Sequence, residues 1–129
     1  MREILFKAKT INGNWVNGLL ANKNDKWYIS NKAGSPFAYD VRPETICQFT
    51  GLCDKNGKKI WENDILMAHL DESYPEDVTY KTVEWNAAGW VGHETGSTDR
   101  EYLDEFDTKH FEVVGSIFDN KELLQEEHK

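Results

Sequence analysis

The chain has 129 residues, 39% of them apolar and 29% charged, with five Trp, five Tyr and six Phe. That length and balance suit one folded domain burying roughly two-thirds of its unfolded surface, and they exclude a disordered chain. A net charge of −8 opposes non-specific attraction to polyanions, so nucleic acid is not the expected partner.

In chain order, residues 2–9 alternate, with Ile4, Phe6 and Ala8 on one side and Lys7 and Lys9 on the other, as a half-buried strand requires. No segment here or later is long and apolar enough for a signal-peptide core or a membrane span, which gives a cytoplasmic expectation with no membrane partner. Asn12-Gly13, Asn22 to Asp25 and Asn31 to Pro36 mark turns, and between them lie expected strands near 15–20 and 26–30, followed by one near 44–49. Trp15, Trp27 and Tyr28 fall near Lys7, Lys9, Lys26 and Lys32. Rings beside cations are what single-stranded nucleic acid sites use, although no RNP, helix-turn-helix or zinc-finger pattern accompanies them.

The densest stretch is "QFTGLCDKNGKKIWENDI", residues 48–65. Asn56-Gly57 is a strong hairpin signal because both residues tolerate positive φ, and Asn63 suits a second left-handed position before the strand "DILMAHL", residues 64–70. Glu62 and Asp64 then read as turn carboxylates; an enzyme would need them to converge with His69 in a pocket. Cys47 and Cys53 have five residues between them, neither a C-x-x-C pair nor a zinc set, and read as two reduced thiols.

Further on, strands are expected near 78–85, 90–94 and 111–118, with Trp85 and Trp90 facing each other across a four-residue hairpin loop. In "TDREYLDEF" the spacing predicts a helix capped by Thr98 and Glu101, with Tyr102, Leu103 and Phe106 as its apolar stripe. In "DNKELLQEEHK" it predicts a second helix capped by Asp119 and Glu122, with Lys129 at the negative end of the dipole and too few apolar residues to persist without outside contact. His69, His93, His110 and His128 are scattered, and only His93-Glu94 has a metal-like flavour.

The predicted fold is mainly β: a small barrel or sandwich of short antiparallel strands with one or two short helices, including a C-terminal one. The chain reads as a single domain, 1–129, divisible into an N-terminal β subdomain (1–43) and a β-barrel-like remainder (44–129). No phosphate loop, nucleophile elbow or H-E-x-x-H occurs, so no catalytic, cofactor-binding or metal-binding residue is assigned and no enzyme is expected. Residues 1–64 carry ten Lys/Arg against seven Asp/Glu, and residues 65–129 five against sixteen. The acidic half reads first as a solvated face; the split also lets one copy's basic half meet another's acidic half, which makes a homo-oligomer an expected state, or leaves a weakly basic patch.

"VRPETICQFTGLCDKNGKKIWENDIL", residues 41–66, resembles the signature of the YopX family of phage and prophage proteins. In that family a Pro-x-Thr-Ile, a Gln-Phe-Thr-Gly-Leu, an Asp-Lys-Asn-Gly and a Gly-Asp-Ile follow in this order. "REILFKAKTINGNWVNG" and "FEVVGSIFDNKELL" are similar to its opening and closing segments, whereas residues 67–110 are idiosyncratic. Cys53 stands where the family usually has Lys, and Asn63 where it usually has Gly. A position that accepts Lys is a poor thiol site, and Gly yielding to Asn fits a demand for positive φ. The resemblance implies a phage accessory protein of unassigned activity, acting through contact with itself or with an unknown host or phage protein.

Overall fold

The structure, a computed structural model, describes residues 5–30, 38–70, 73–74, 76–86 and 89–124. Residues 2–4 of the first expected strand, the turn at 31–36 with Lys32, and His128 and Lys129 lie outside the described residues. The chain forms two compact units, residues 1–49 and 50–129, and the fold is mainly antiparallel β with a single α-helix among the described residues.

The first unit is built from β1 (Phe6–Lys9), β2 (Trp15–Lys23), β3 (Lys26–Ser30) and β4 (Tyr39–Asp40), then a 3-10 turn (Pro43–Thr45) and the start of β5 (Cys47–Cys53), in the order β4-β3-β2-β1-β5. Local chemistry sets both hairpins. Asn24 and Asp25 both take positive φ (54° and 65°), the backbone of a two-residue primed turn, so Lys23 pairs with Lys26. The first turn instead closes Gly13 N–H onto Thr10 O (2.9 Å) with Gly13 at φ 89°, a type I turn ended by a bulge. Ala8, Ile29 and Val41 are buried, and Phe6, Val16, Leu20, Trp27 and Ile46 pack on them.

The second unit continues β5 into β6 (Lys59–Trp61), and adds β7 (Asp64–Ala68), β8 (Thr79–Asn86), β9 (Gly89–Glu94), β10 (Arg100–Tyr102), α1 (Glu105–His110) and β11 (Glu112–Ser116). Its sheet runs β10-β9-β8-β7-β11. Ile60, Leu66, Ala68, Val83, Trp90 and Phe111 form the core, with Leu52, Leu103 and Val113 against it. Trp85 and Trp90 are cross-strand partners as expected, with ring centroids 4.9 Å apart and nearly edge to face; the ladder runs one pair further, Asn86 to Gly89.

The segment expected as a helix from Thr98 to Phe106 divides instead. Residues 100–102 pair with residues 91–93 as β10, and Leu103 N–H is given to Trp90 O (3.0 Å). The helix starts only after Asp104, whose carboxylate accepts from Asp107 N–H (3.1 Å) while Asp107 returns the bond to Asp104 N–H (3.0 Å). Residues 100–102 are taken up as a partner strand at the edge of β9, and the helix is capped instead by Asp104 and Asp107. Phe106 and Tyr102 are exposed and Asp107 is the buried residue of α1. The described part of the second expected helix is a 3-10 turn at Lys121–Leu124, with Leu123 N–H on Asn120 O (3.0 Å); residues 125–129 lie outside the described residues.

Candidate functional site

The patterned stretch of residues 48–65 is held as a structural device. Gly57 N–H is donated to Asp54 O (3.0 Å) and Asp54 N–H to Lys58 O (2.8 Å), so Lys55, Asn56 and Gly57 make a three-residue loop. Only Gly57 takes positive φ (82°); Asn56 does not, against expectation, because a type I turn with a glycine bulge replaces the two-residue turn. The Asp54 carboxylate organises it, accepting from Asn56 N–H (2.8 Å), Lys58 N–H (2.9 Å) and, from β11, Val113 N–H (2.8 Å). Burial opposes its charge, yet these backbone donors together with the Lys58 charge hold its pKa below the usual carboxylate value. Asn63 does take positive φ (69°), and the buried Asp64 accepts from Trp61 N–H (2.8 Å) across that turn.

The other candidates do not assemble. Asp64 opens β7 and His69 follows its last residue, Ala68, so about 16 Å of strand separates them at roughly 3.3 Å per residue. Cys47, buried, and Cys53, exposed, end the same extended strand and are not joined, well beyond the Cα separation of about 7 Å a disulfide tolerates. Trp27 packs on the core of the first unit, but Trp15, the neighbour of inward Val16 on β2, belongs to the opposite face under the ammonium groups of Lys7 (4.7 Å) and Lys9 (5.5 Å). The two rings therefore cannot form one stacking platform. His93 turns away from Glu94: Nδ1 meets Glu84 Oε2 (3.2 Å) and Nε2 meets Ser97 O (2.6 Å). Among the described residues no group of three or more His, Cys, Asp or Glu side chains could hold a metal ion, and no helix is long and apolar enough to cross a membrane.

What the second unit does contain is a groove of about 460 Å³ between the β8-β9-β10 face and α1. Its floor is made possible by Gly92, where a Cβ would lie 3.0 Å from Lys81 Cδ and 3.2 Å from Leu103 Cδ2. Lys81 crosses that floor to Asp107 (Nζ to Oδ1, 2.9 Å), with its ammonium 4.8 Å from the Phe111 ring centre. Among the described residues, five carboxylates line the groove, those of Glu94, Asp99, Glu101, Asp104 and Asp107, against the single ammonium of Lys81. Leu70 and Phe106 also line it while remaining exposed. The hydrogen bonds from Asp107, first from its backbone N–H, keep the Asp104 carboxyl below its ordinary pKa.

On the other face of the same strands, Glu84 accepts from Arg100 Nε (2.8 Å) and faces His93. Partial burial opposes the Glu84 charge, but the Arg100 bond and charge, with His93, hold its pKa below the usual value. Sequence reading missed Lys81, Glu84, Arg100 and Asp107 because they are far apart in the chain. The one local signal was Gly92, a glycine inside a strand, which marks close approach of another group.

The match to known proteins runs through both units. The YopX protein family matches residues 6–125. The chain belongs to the YopX family. The YopX resemblance read from residues 41–66 and from both ends of the sequence is thereby established. No curated protein matches this YopX chain significantly. Among solved structures it is similar to the crystal structure of protein EF1440 from Enterococcus faecalis, with a TM-score of 0.60 and 21% identity, covering 97% of this chain and 100% of that one. At that identity the likeness is one of fold.

Proposed function

We propose that this YopX protein is a non-catalytic phage accessory protein that works by protein contact in the cytoplasm of the bacterial host, with the groove of the second unit as its contact surface. The observation that carries this reading is the pairing of two exposed apolar side chains, Leu70 and Phe106, with an acidic wall around an open groove. Exposed apolar groups rimmed by charge are the usual marks of a surface that partners cover. Of the residues an enzyme would need, Glu62 and Asp64 flank one turn, with the buried Asp64 engaged by backbone, and His69 lies beyond the far end of β7. Single-stranded nucleic acid binding, the rival reading, has less support: Trp15 and Trp27 lie on opposite faces, and the groove repels phosphate.

Self-association is the simplest form of such contact. Residues 1–49 carry seven Lys/Arg against four Asp/Glu, and residues 50–129 eight against nineteen, so two copies have complementary surfaces to offer. A photo-crosslinking residue at position 106, expressed in the bacterial host, tests the contact. A discrete adduct is expected there and not from the same probe at Lys55 on the motif hairpin. Equal, diffuse labelling from both positions would refute the reading.

A further inference from the structure

The groove ends at an open strand edge, and that edge has a readable code. In the ladder between β9 and β10, Leu103 N–H is donated to Trp90 O, so the pair Leu103/Trp90 is hydrogen-bonded. Antiparallel pairs alternate, which makes Glu101/Gly92 the next bonded pair and leaves Arg100/His93 and Tyr102/Val91 unbonded. The β8-β9 ladder agrees: Thr95 N–H goes to Tyr80 O, which directs the His93 and Val91 backbone toward β8. The N–H and C=O groups of Arg100 and Tyr102 therefore point away from β9. β10 is the last strand of its sheet, its three residues are exposed, and among the described residues nothing pairs with that edge.

We infer that β10 accepts an extended peptide as an added antiparallel strand, with an apolar residue opposite Tyr102, a basic residue opposite Glu101 and an acidic residue opposite Arg100. This rests on the protein-contact reading and names the partner's chemistry. Glu101 shares the groove face with Gly92, Glu94 and Lys81, so a lysine opposite it reaches the carboxylates of Asp99 and Asp104 as well. Tyr102 stands on the other face against Gly89, where a Cβ would lie 3.2 Å from its ring, and offers an exposed aromatic surface. Arg100 is already oriented by Glu84 through Nε and by Thr98 O through Nη1 (3.4 Å), and its side chain is 43% exposed to an incoming carboxylate. Main-chain bonds to Arg100 and Tyr102 give the docking its affinity, and the three cross-strand pairs give it order.

The same code argues against a second copy at this edge. Two β10 strands paired antiparallel about a dyad at Glu101 set that carboxylate against itself and Arg100 against Tyr102, and directly opposed like charges are destabilising. Charge on a short edge strand is a common protection against such pairing, here combined with an opening for a cationic partner.

The test uses ¹⁵N-labelled full chain and two capped probe peptides of one composition, Ac-Thr-Val-Lys-Glu-Thr-NH2 and Ac-Thr-Val-Glu-Lys-Thr-NH2. Amide shifts at residues 91–93 and 100–103 are expected with the first. The second should bind at least about fivefold more weakly, since two attractive pairs of several tenths of a kcal/mol each become repulsive. Glu101→Lys should abolish the preference. Tyr102→Pro should abolish binding of the first peptide while the β9 amide shifts persist, because it removes only an outward N–H. Shifts without preference between the peptides, or an unperturbed edge at millimolar peptide, would overturn the proposal. If position 106 still forms its adduct in that case, protein contact stands and only the edge is wrong; if it does not, both fall.

Discussion

Replacing Asp54 by Ala should unravel the motif hairpin from β11, because one carboxylate serves three backbone donors. Two of them, Asn56 and Lys58 N–H, lie in exposed residues, and water replaces part of what they lose. Val113 N–H lies in a part-buried β-strand residue that also packs on the core, and it is left with no acceptor. An orphaned buried donor costs about 1 to 3 kcal/mol, and each of the two loop bonds a net of roughly 0.5 to 1, so the variant should lose about 2 to 5 kcal/mol. The local readout is hydrogen exchange at Val113, which should quicken at least about tenfold for every 1.4 kcal/mol lost. Asp54→Asn should lose less, because an amide oxygen can still accept from the loop. The pH dependence has a fixed sign. The folded pKa of Asp54 is depressed, so its contribution is complete above the ordinary value of 3.8 and disappears as pH falls through the folded value. The gap between wild type and Asp54→Asn should therefore be full above pH 3.8, narrow as pH falls below that, and close only once pH is below the depressed folded value. An Ala variant with unchanged urea midpoint and unchanged Val113 exchange would refute the role assigned to this carboxylate.

Gly57→Val should lower stability by about 1 kcal/mol or more in urea unfolding, entirely through the backbone, since φ is 82° and a Cβ there meets nothing within 4 Å. Cys53→Ser should leave the unfolding midpoint and the position-106 adduct intact, because the thiol is exposed at the end of β5. Lys81→Met should cost about 3 kcal/mol or more by leaving Asp107 buried without its cation, and Asp107→Asn in that background should recover part of it in thermal melts. Light scattering should find an oligomer at low salt that loosens as salt rises past a Debye length of about 8 to 10 Å; a monomer throughout would remove self-association.

Much of this protein was legible because turns and alternation are local properties. Asn24-Asp25, Gly57 and Asn63 announce positive φ by residue type, and Phe6 and Ala8 announce an inward face by spacing alone. The motif of residues 41–66 likewise identified the family without any contact being known. The cap expected at Thr98 and Glu101 is a local signal, and it could not show that residues 100–102 pair with residues 91–93 of β9 and that the helix starts only after Asp104. Nor could it tell that Trp15 and Trp27 lie on opposite faces, a matter of which β2 residues pair with β1 and β3. Asp54, Asp64 and Asp107 look like surface carboxylates in the sequence and are buried in the fold. Their partners, Val113 N–H, Trp61 N–H and Lys81, come partly from strands up to 59 residues away, and only tertiary structure brings a donor near enough for a buried charge to be tolerated.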